Sequence, residues 1–458
     1  MRIIVCGAGL VGSSIARQLA SENNDVTIVD QSPETIQKMN ESLDVRAIEG
    51  YASHPDVLEQ AGARDAEMIV AVTQNDEINM VACQVAHSLF ETPTKIARIR
   101  AQTYLDPAWQ NLFSRNHLPI DVIISPEIEV ARAITGRLNV PGATDMVSFV
   151  DDRVRVVAVS IGDSCPIVDT PLRQLTELFP DLHMRVVGIV RREGIITPGG
   201  DDQILVGDEV YFTVDSTQVH RAMSAFGHEE KEARRIVVIG GGNIGLFVSK
   251  QIIESIPDVR LKMIEVSRER AESVADQLER AVVIYGDSLA AEILAEANVK
   301  ESDAVIAVTN DDQVNILSSL LAKREGAKRA TTLVNNMTYG PLVRSLGIDA
   351  VVNPRAITVS RILQHIRRGR IRGVHSVRDG MAEIIEAETL ETSPLSGKSL
   401  RDVKLPAGVI IGALARGDEV IIPRGETVIE TGDRVIVFAT REMVKKVEKM
   451  FAVRLDFF

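Results

Sequence analysis

The sequence predicts two α/β domains in tandem, each built on a parallel sheet and each followed by a small α+β domain. Three observations carry this reading. First, short β-branched runs ("IIVCG", "DVTIVD", "VRAIEG", "MIVAVT", "IARIR", "DVIIS") alternate with helical patterns across residues 1–125. Apolar strands without polar alternation belong to a parallel sheet covered on both faces. Second, the pattern occurs twice: "GAGLVG" at 7–12 returns as "GGGNIG" at 240–245, and "MIVAVT" returns as "VIAVT". A repeat this long at near-constant spacing is a duplicated unit. Third, "VRVVAVSI", "MRVVGIVRREGIITP" and "DEVYFTV" alternate and turn through Gly or Pro, as strands of a mostly β module do.

The repeat extends through both kinds of segment. "ISPEIEVARAITGRL" parallels "VNPRAITVSRILQHI", each a strand end, a proline and an amphipathic helix, and "LVGDEVYFTV" parallels "ETGDRVIVFA". "PLRQL" similarly parallels "SLRDV", and "RREG" and "ARGDE" read as hairpin turns. The expected boundaries are 1–125 for the first parallel-sheet domain and 126–230 for a crossover helix with the first small domain. The second pair then covers 231–353 and 354–458.

Composition narrows the function classes. At 458 residues, 45% hydrophobic and 25% charged, the chain is a multidomain globular protein. A net charge of −13 and only 4% aromatic residues argue against a nucleic-acid surface, which needs cations for phosphates and rings for bases. No apolar run is long enough to span a bilayer, and no signal-type stretch precedes the first strand, so the expected location is the cytoplasm. Cys6, Cys83 and Cys165 lie far apart without metal-type spacing; buried reduced thiols are expected, and no metal site.

Each glycine turn follows a strand, opens a helix, and has an acid at the end of the next strand, the context that gives a GxGxxG motif meaning. Gly7 and Gly240 permit the tight turn, Gly9 and Gly242 let a pyrophosphate approach the backbone, and Gly12 and Gly245 let helix and strand pack closely. The intervening Ala8, Leu10 and Val11, and Gly241, Asn243 and Ile244, complete the loops whose N–H groups face phosphate. Asp30 and Glu265 are placed to accept ribose hydroxyls. Gln31 and Ser32 after Asp30 favour NAD(H) over NADP(H) in the first site, whereas Arg268 leaves that choice open in the second.

Further contacts are expected at strand carboxyl ends: Tyr51, Ala52, Thr73 and Gln74 in the first copy, Asp287, Ser288, Thr309 and Asn310 in the second. Thr73 and Asp76 are equally placed to cap a helix. Arg98 and Arg100, two apart in a strand, would face one side and offer two guanidiniums to phosphates, against the alternative of a solvated pair on an edge strand. Leu333 and Asn335 stand in their places in the second copy, so ATP or ADP would compete with NAD(H) chiefly in the first. The loop histidines His54 and His117 have no repeat counterparts, Leu289 standing opposite His54. No catalytic residues are expected, since no acid/base constellation accompanies the glycine turns. The basic run "HIRRGRIRG" (365–373) reads as a solvated helix end or as a contact with a partner or anionic headgroups.

Two GxGxxG units, each with an acid on the second strand and an "AVT(N/Q)(D/N)D" segment on the fourth, each followed by a small β module, resemble the TrkA family. Its members are tandem RCK (KTN) regulatory proteins of bacterial Trk potassium uptake systems, and the likeness spans essentially the whole chain. The resemblance implies two Rossmann-like RCK N-terminal domains, each followed by an RCK C-terminal (TrkA-C) domain. It implies NAD(H) as ligand with ATP/ADP as alternative regulatory ligands, bound by the 7–11 loop, Asp30, Tyr51, Thr73, Gln74 and Arg98. The second site would use the 240–244 loop, Glu265, Asp287, Thr309 and Asn310. It further implies a homo-oligomeric ring, a tetramer of tandem chains, peripheral on the cytoplasmic face of the inner membrane. The partner would be a TrkH/TrkG-like potassium translocating subunit, gated without enzymatic chemistry. The rival reading is an NAD-dependent oxidoreductase with a duplicated cofactor domain.

Overall fold

Four consecutive positions of the first strand, β1 (Arg2–Cys6), are buried because both faces of its sheet are covered. Ile3 and Val5 pack with α1 (Leu10–Ser21) and α2 (Pro33–Ser42) through Ile15, Leu19 and Met39. Ile4 and Cys6 pack with α3 (Pro55–Gln60) and α4 (Asp76–Phe90) through Leu58, Met80 and Cys83. The other strands are β2 (Asp25–Asp30), β3 (Arg46–Glu49), β4 (Met68–Ala71), β5 (Thr94–Arg98) and β6 (Val122–Ile124). All pair in parallel in the order β3-β2-β1-β4-β5-β6. Chain order reverses between β1 and β4, which opens a crevice at their carboxyl ends. The computed structural model describes residues 1–451 apart from 23, 193, 367–370 and 379. The centre of the basic run at 365–373 therefore lies outside the described residues.

Next come α5 (Pro126–Leu138), β7 (Ala143–Phe149), β8 (Val154–Ser160), α6 (Leu172–Leu178), β9 (Met184–Arg191), β10 (Gly194–Ile196), β11 (Glu209–Asp215) and α7 (Val219–Ala225). The strands form an antiparallel sheet, β10-β9-β11-β8-β7, and Gly194 pairs with Arg191 at the β9–β10 hairpin, residue 193 of "RREG" lying outside the described residues.

The pattern then repeats through β12 (Arg235–Ile239), α8 (Asn243–Ser255), β13 (Arg260–Glu265), α9 (Arg268–Ala275), β14 (Ala281–Tyr285), α10 (Ala291–Glu296) and β15 (Ala304–Ala307). It continues through α11 (Asp312–Glu325), β16 (Ala330–Leu333), α12 (Gly340–Ser345), β17 (Ala350–Val352) and α13 (Pro354–Ile366). The second parallel sheet, β14-β13-β12-β15-β16-β17, has the strand order of the first. The last module holds β18 (Ile371–Val377), β19 (Ala382–Glu388), β20 (Lys398–Ser399), β21 (Val409–Arg416), β22 (Glu419–Ile421), β23 (Val428–Ile429), β24 (Arg434–Thr440) and α14 (Val444–Phe451). Its main sheet, β18-β19-β24-β21-β22, repeats the first module strand for strand, and "ARGDE" forms the β21–β22 hairpin. The fold class is the one the sequence predicts.

The chain divides into two compact units, residues 1–129 with Arg355–Ile366, and Val130–Pro354 with the last module. In the first unit, Ile362, Leu363 and Ile366 of α13 complete the core beside α1. In the second, α5 is tied to the later parallel-sheet domain: Thr135 Oγ1 donates to Gln251 of α8 at 3.3 Å, and Arg137 to the Val351 carbonyl at 3.2 Å. Each crossover helix thus serves the other repeat. The two β modules share a core of Phe149, Val187, Tyr211, Ile384, Ala413 and Phe438. Beside it, His375 and Arg137 each reach Asp145 at 2.7 Å. Burial alone would raise the Asp145 carboxyl, but the attraction and hydrogen bonds of His375 and Arg137 outweigh it and hold it far below the usual carboxylate range. All three cysteines are buried and unpaired, and burial pushes the Cys6 thiol up to about 12.

Candidate functional site

Each glycine turn is built by sterics the sequence states directly. Gly7 and Gly240 sit at φ +101° and +103°, a region side chains rarely adopt. A Cβ on Gly12 would lie 1.8 Å from the Gly7 carbonyl oxygen, and one on Gly245 would lie 1.9 Å from that of Gly240. By contrast, a Cβ on Gly9 or Gly242 would meet nothing within 4 Å, so these positions open toward the crevice.

Several helix N-termini beside the parallel sheets lack a side-chain cap, α3 and α10 among them, and the two at the glycine turns start on glycine itself. Side chains of Ser32, Asn75, Ser267 and Asp311 cap α2, α4, α9 and α11, whereas Gly9 and Gly242 cap α1 and α8 with no side-chain acceptor. Two helix N-termini in each chain therefore present first-turn N–H groups and a positive dipole end beside open glycines. These features fit the phosphates of a nucleotide. Leu10 is 64% exposed at the mouth of the first turn, where the second has the exposed polar Asn243.

Asp30 and Glu265 lie beside these turns and brace them. Ala8 N–H donates to Asp30 Oδ2 at 2.7 Å, and Ser32 N–H to its Oδ1 at 2.9 Å. Gly241 N–H donates to Glu265 Oε2 at 2.6 Å, and Ser267 N–H to its Oε1 at 2.8 Å. Each carboxylate thus shapes the loop, with lone pairs remaining for ribose hydroxyls.

Neither Thr73 nor Asp76 caps α4; Asn75 does, accepting from Ile78 N–H at 3.0 Å. Thr73 is instead held by Asn79, a fully buried residue not singled out from the sequence. Asn79 Oδ1 accepts from Thr73 N–H at 2.9 Å and from its hydroxyl at 2.7 Å. Asn315 treats Thr309 identically, at 2.8 and 2.7 Å. The signal was present, an Asn six residues after the Thr in both copies. Asp76 ties α4 to the chain after β5, accepting from Arg100 and Ala101 N–H at 2.8 Å each.

The arginine pair departs from expectation in two ways. Strand β5 lies inside the sheet, because the three-residue β6 pairs beyond it, so the edge-strand alternative is overturned. Moreover, β5 ends at Arg98, so Arg100 lies past the strand and the two do not share a strand face. Arg98 Nη2 donates to the Thr73 carbonyl at 2.6 Å, and Arg100 Nε to Glu127 Oε1 at 2.9 Å. Burial and the neighbouring Arg100 charge both lower the Arg98 pKa. In the second copy, Leu333 is buried and Asn335 bonds Asp312 at 3.0 Å.

The second site carries cations elsewhere. Arg268 lies over the ring of Tyr285, 4.6 Å from its centroid, and Tyr285 pairs in register with Glu265. Arg270 Nε donates to the Gly241 carbonyl at 2.6 Å, a loop contact the sequence reading missed. Of the remaining candidates, Gln74, Asn310 and Tyr51 are exposed, and the Tyr51 ring tilts against His54 at 5.2 Å. Asp287 accepts from Leu289 N–H at 2.9 Å, while Ala52 and Ser288 are buried, leaving mainly their backbones for a ligand. His54 precedes α3 as Ala290 precedes α10, so Ala290, not Leu289, is its counterpart. His117 Nδ1 lies 2.9 Å from Ser114 Oγ.

Duplicated parallel-sheet domains with nucleotide-type turns, each followed by an antiparallel module, define a tandem TrkA-N/TrkA-C regulatory chain. The TrkA-N domain model matches residues 3–126 and 236–354, and the TrkA-C domain model matches 156–227 and 384–452. The chain is 55% identical over 458 residues to a Trk system potassium uptake protein TrkA of Azorhizobium caulinodans, covering 100% of both. It is 42% identical over 462 residues to the protein of that name from Halomonas elongata, again covering 100% of both. It belongs to the TrkA family of potassium uptake system proteins, not to a family of enzymes. A solved structure described as the GsuK channel bound to NAD matches 99% of this chain and 79% of its own, with TM-score 0.59 at 18% identity, a likeness of fold. No helix among the described residues is long and apolar enough to cross a membrane.

Proposed function

We propose that this chain is a nucleotide-sensing regulatory subunit that assembles on the cytoplasmic face of a Trk-type potassium channel or transporter and gates potassium uptake. The observation that carries the reading is the pair of open glycine turns on uncapped helices, set within a chain of the TrkA family. NAD(H) is the proposed ligand, with ATP/ADP competing at the first site, where Arg98 and Arg100 add positive charge. The nucleotide supplies phosphates and an adenosine ribose. The chain supplies the N–H groups of the turns, the loop-bracing Asp30 and Glu265, and the guanidiniums. Gating then requires only that a nucleotide bind one shape of a ring more tightly than another. The ring is proposed as a homo-oligomer of tandem chains on a TrkH/TrkG-like membrane subunit.

Co-purification with membranes carrying such a potassium translocator, with and without NADH or ATP, tests this. Nucleotide-dependent association is expected, and failure to associate under every condition overturns the reading. Turnover of NADH absorbance with any substrate would favour the oxidoreductase instead.

A further inference from the structure

Beyond β5 and β6, four charged groups of the first domain meet: Asp76, Arg98, Arg100 and Glu127. Asp76 and Glu127 are 8% and 2% exposed. Glu127 belongs to the first turn of α5, where the helix dipole favours a carboxylate. Arg100 Nε donates to its Oε1, and among the described residues its buried Oε2 has no partner. Asp76 Oδ1 and Arg98 Nε are likewise buried and unpartnered. Arg100, by contrast, is half exposed. One partly solvated guanidinium thus answers a buried carboxylate at the mouth of the proposed phosphate site. Loss of one member of a buried ion pair is costly, because the remaining charge has neither water nor a counter-ion.

We infer that Glu127 is a positioning residue that competes with nucleotide phosphates for Arg100, linking terminal-phosphate binding to the base of the crossover helix α5. This rests on the proposed binding of ATP/ADP at the first site. A ligand whose terminal phosphate takes Arg100 leaves Glu127 buried without its cation, and the first turn of α5 must loosen or turn toward water. From Val130 onward α5 belongs to the second compact unit, so the strain falls on the segment where the chain passes between units. The second copy has neither member: Asn335 stands for Arg100, and Arg355 follows the proline of α13 where Glu127 follows that of α5.

The test is calorimetric titration of the full chain with ATP and with NADH, together with amide hydrogen exchange across α5. Glu127→Gln keeps the shape and removes the charge. It should raise ATP affinity about fivefold, at the low end of ordinary site-to-site coupling, while NADH affinity moves less, and ATP should no longer speed exchange in the first turn of α5. The gain should vanish in the Arg100→Gln background, because the two act as one pair. Wild-type protein that binds neither nucleotide overturns the functional proposal itself. Wild-type protein that binds ATP, with an unchanged ATP-to-NADH ratio in Glu127→Gln or parallel losses of both, overturns the role of Glu127. Should Glu127→Gln fail to fold, Arg100→Gln decides alone: ATP that still speeds α5 exchange in that variant overturns the inference.

Discussion

At the carboxyl end of β5 the first domain places Arg98 and Arg100; at the same end of β16 the second places Leu333 and Asn335. At the ribose end the order inverts. There the first domain pairs Asp30 with Glu49, and the second pairs Glu265 with Tyr285 beneath Arg268. Two copies of one scaffold therefore hold the same turns, the same buried Asn and the same bracing carboxylate, but carry their cations at opposite ends of the crevice. The lesson is that duplication kept what builds the backbone of the turns and varied the charged residues around them. On the proposed reading, the first site would discriminate by phosphate number, and the second would hold an adenosine end by an aromatic ring and a guanidinium.

The largest effect that would probe this comparison comes from the shared scaffold. Gly12→Val and Gly245→Val each drive a side chain into a carbonyl of their own turn. Each should destabilise its domain by about 3 kcal/mol and remove one nucleotide per chain from the binding stoichiometry. Retained stoichiometry in either variant would show that its turn is not a ligand site.

Asn79→Ala and Asn315→Ala should follow, at roughly 2 kcal/mol each by chemical denaturation, since each strands N–H and carbonyl groups in the core. Matching losses are expected because the bonds match. A large difference would mean that the two crevices do not share a supporting frame.

Arg98→Leu installs the second copy's residue in the first. ATP affinity at the first site should fall about tenfold and NADH affinity less, in keeping with the worth of a charge-assisted contact. Competition titration checks this, and equal losses would break the assignment of the arginines to terminal phosphates. Smallest is Arg268→Ala, expected to weaken adenine nucleotides at the second site about threefold, with similar changes for AMP, ADP and ATP. A loss that grows with phosphate number would place Arg268 on the phosphates instead of the adenosine end.

Much of the fold was legible because its causes are local. Uninterrupted apolar strands report a sheet covered twice, and the spacing of Gly7, Gly9 and Gly12 reports a turn that only glycine tolerates. The misses share another cause. The run "IARIR" puts Arg98 and Arg100 on one strand face because it does not show where pairing stops, and a list of strands that includes "DVIIS" does not show that β6 pairs beyond β5. Asn79 does not stand out in the sequence, because its partners, Thr73 and the Arg98 carbonyl, lie on two different strand ends.

By itself, then, the sequence determined the duplication, the parallel and antiparallel sheets, and the two glycine turns with their acids. These follow from sterics and from burial patterns read within a few residues of one another. Tertiary structure alone decided that α13 completes the core of the first unit, that α5 is tied to α8, and that a glutamate at the start of α5 answers Arg100. An apolar helix face and a buried charge both require a partner, but residues far along the chain supply it, and only the packed molecule shows which ones.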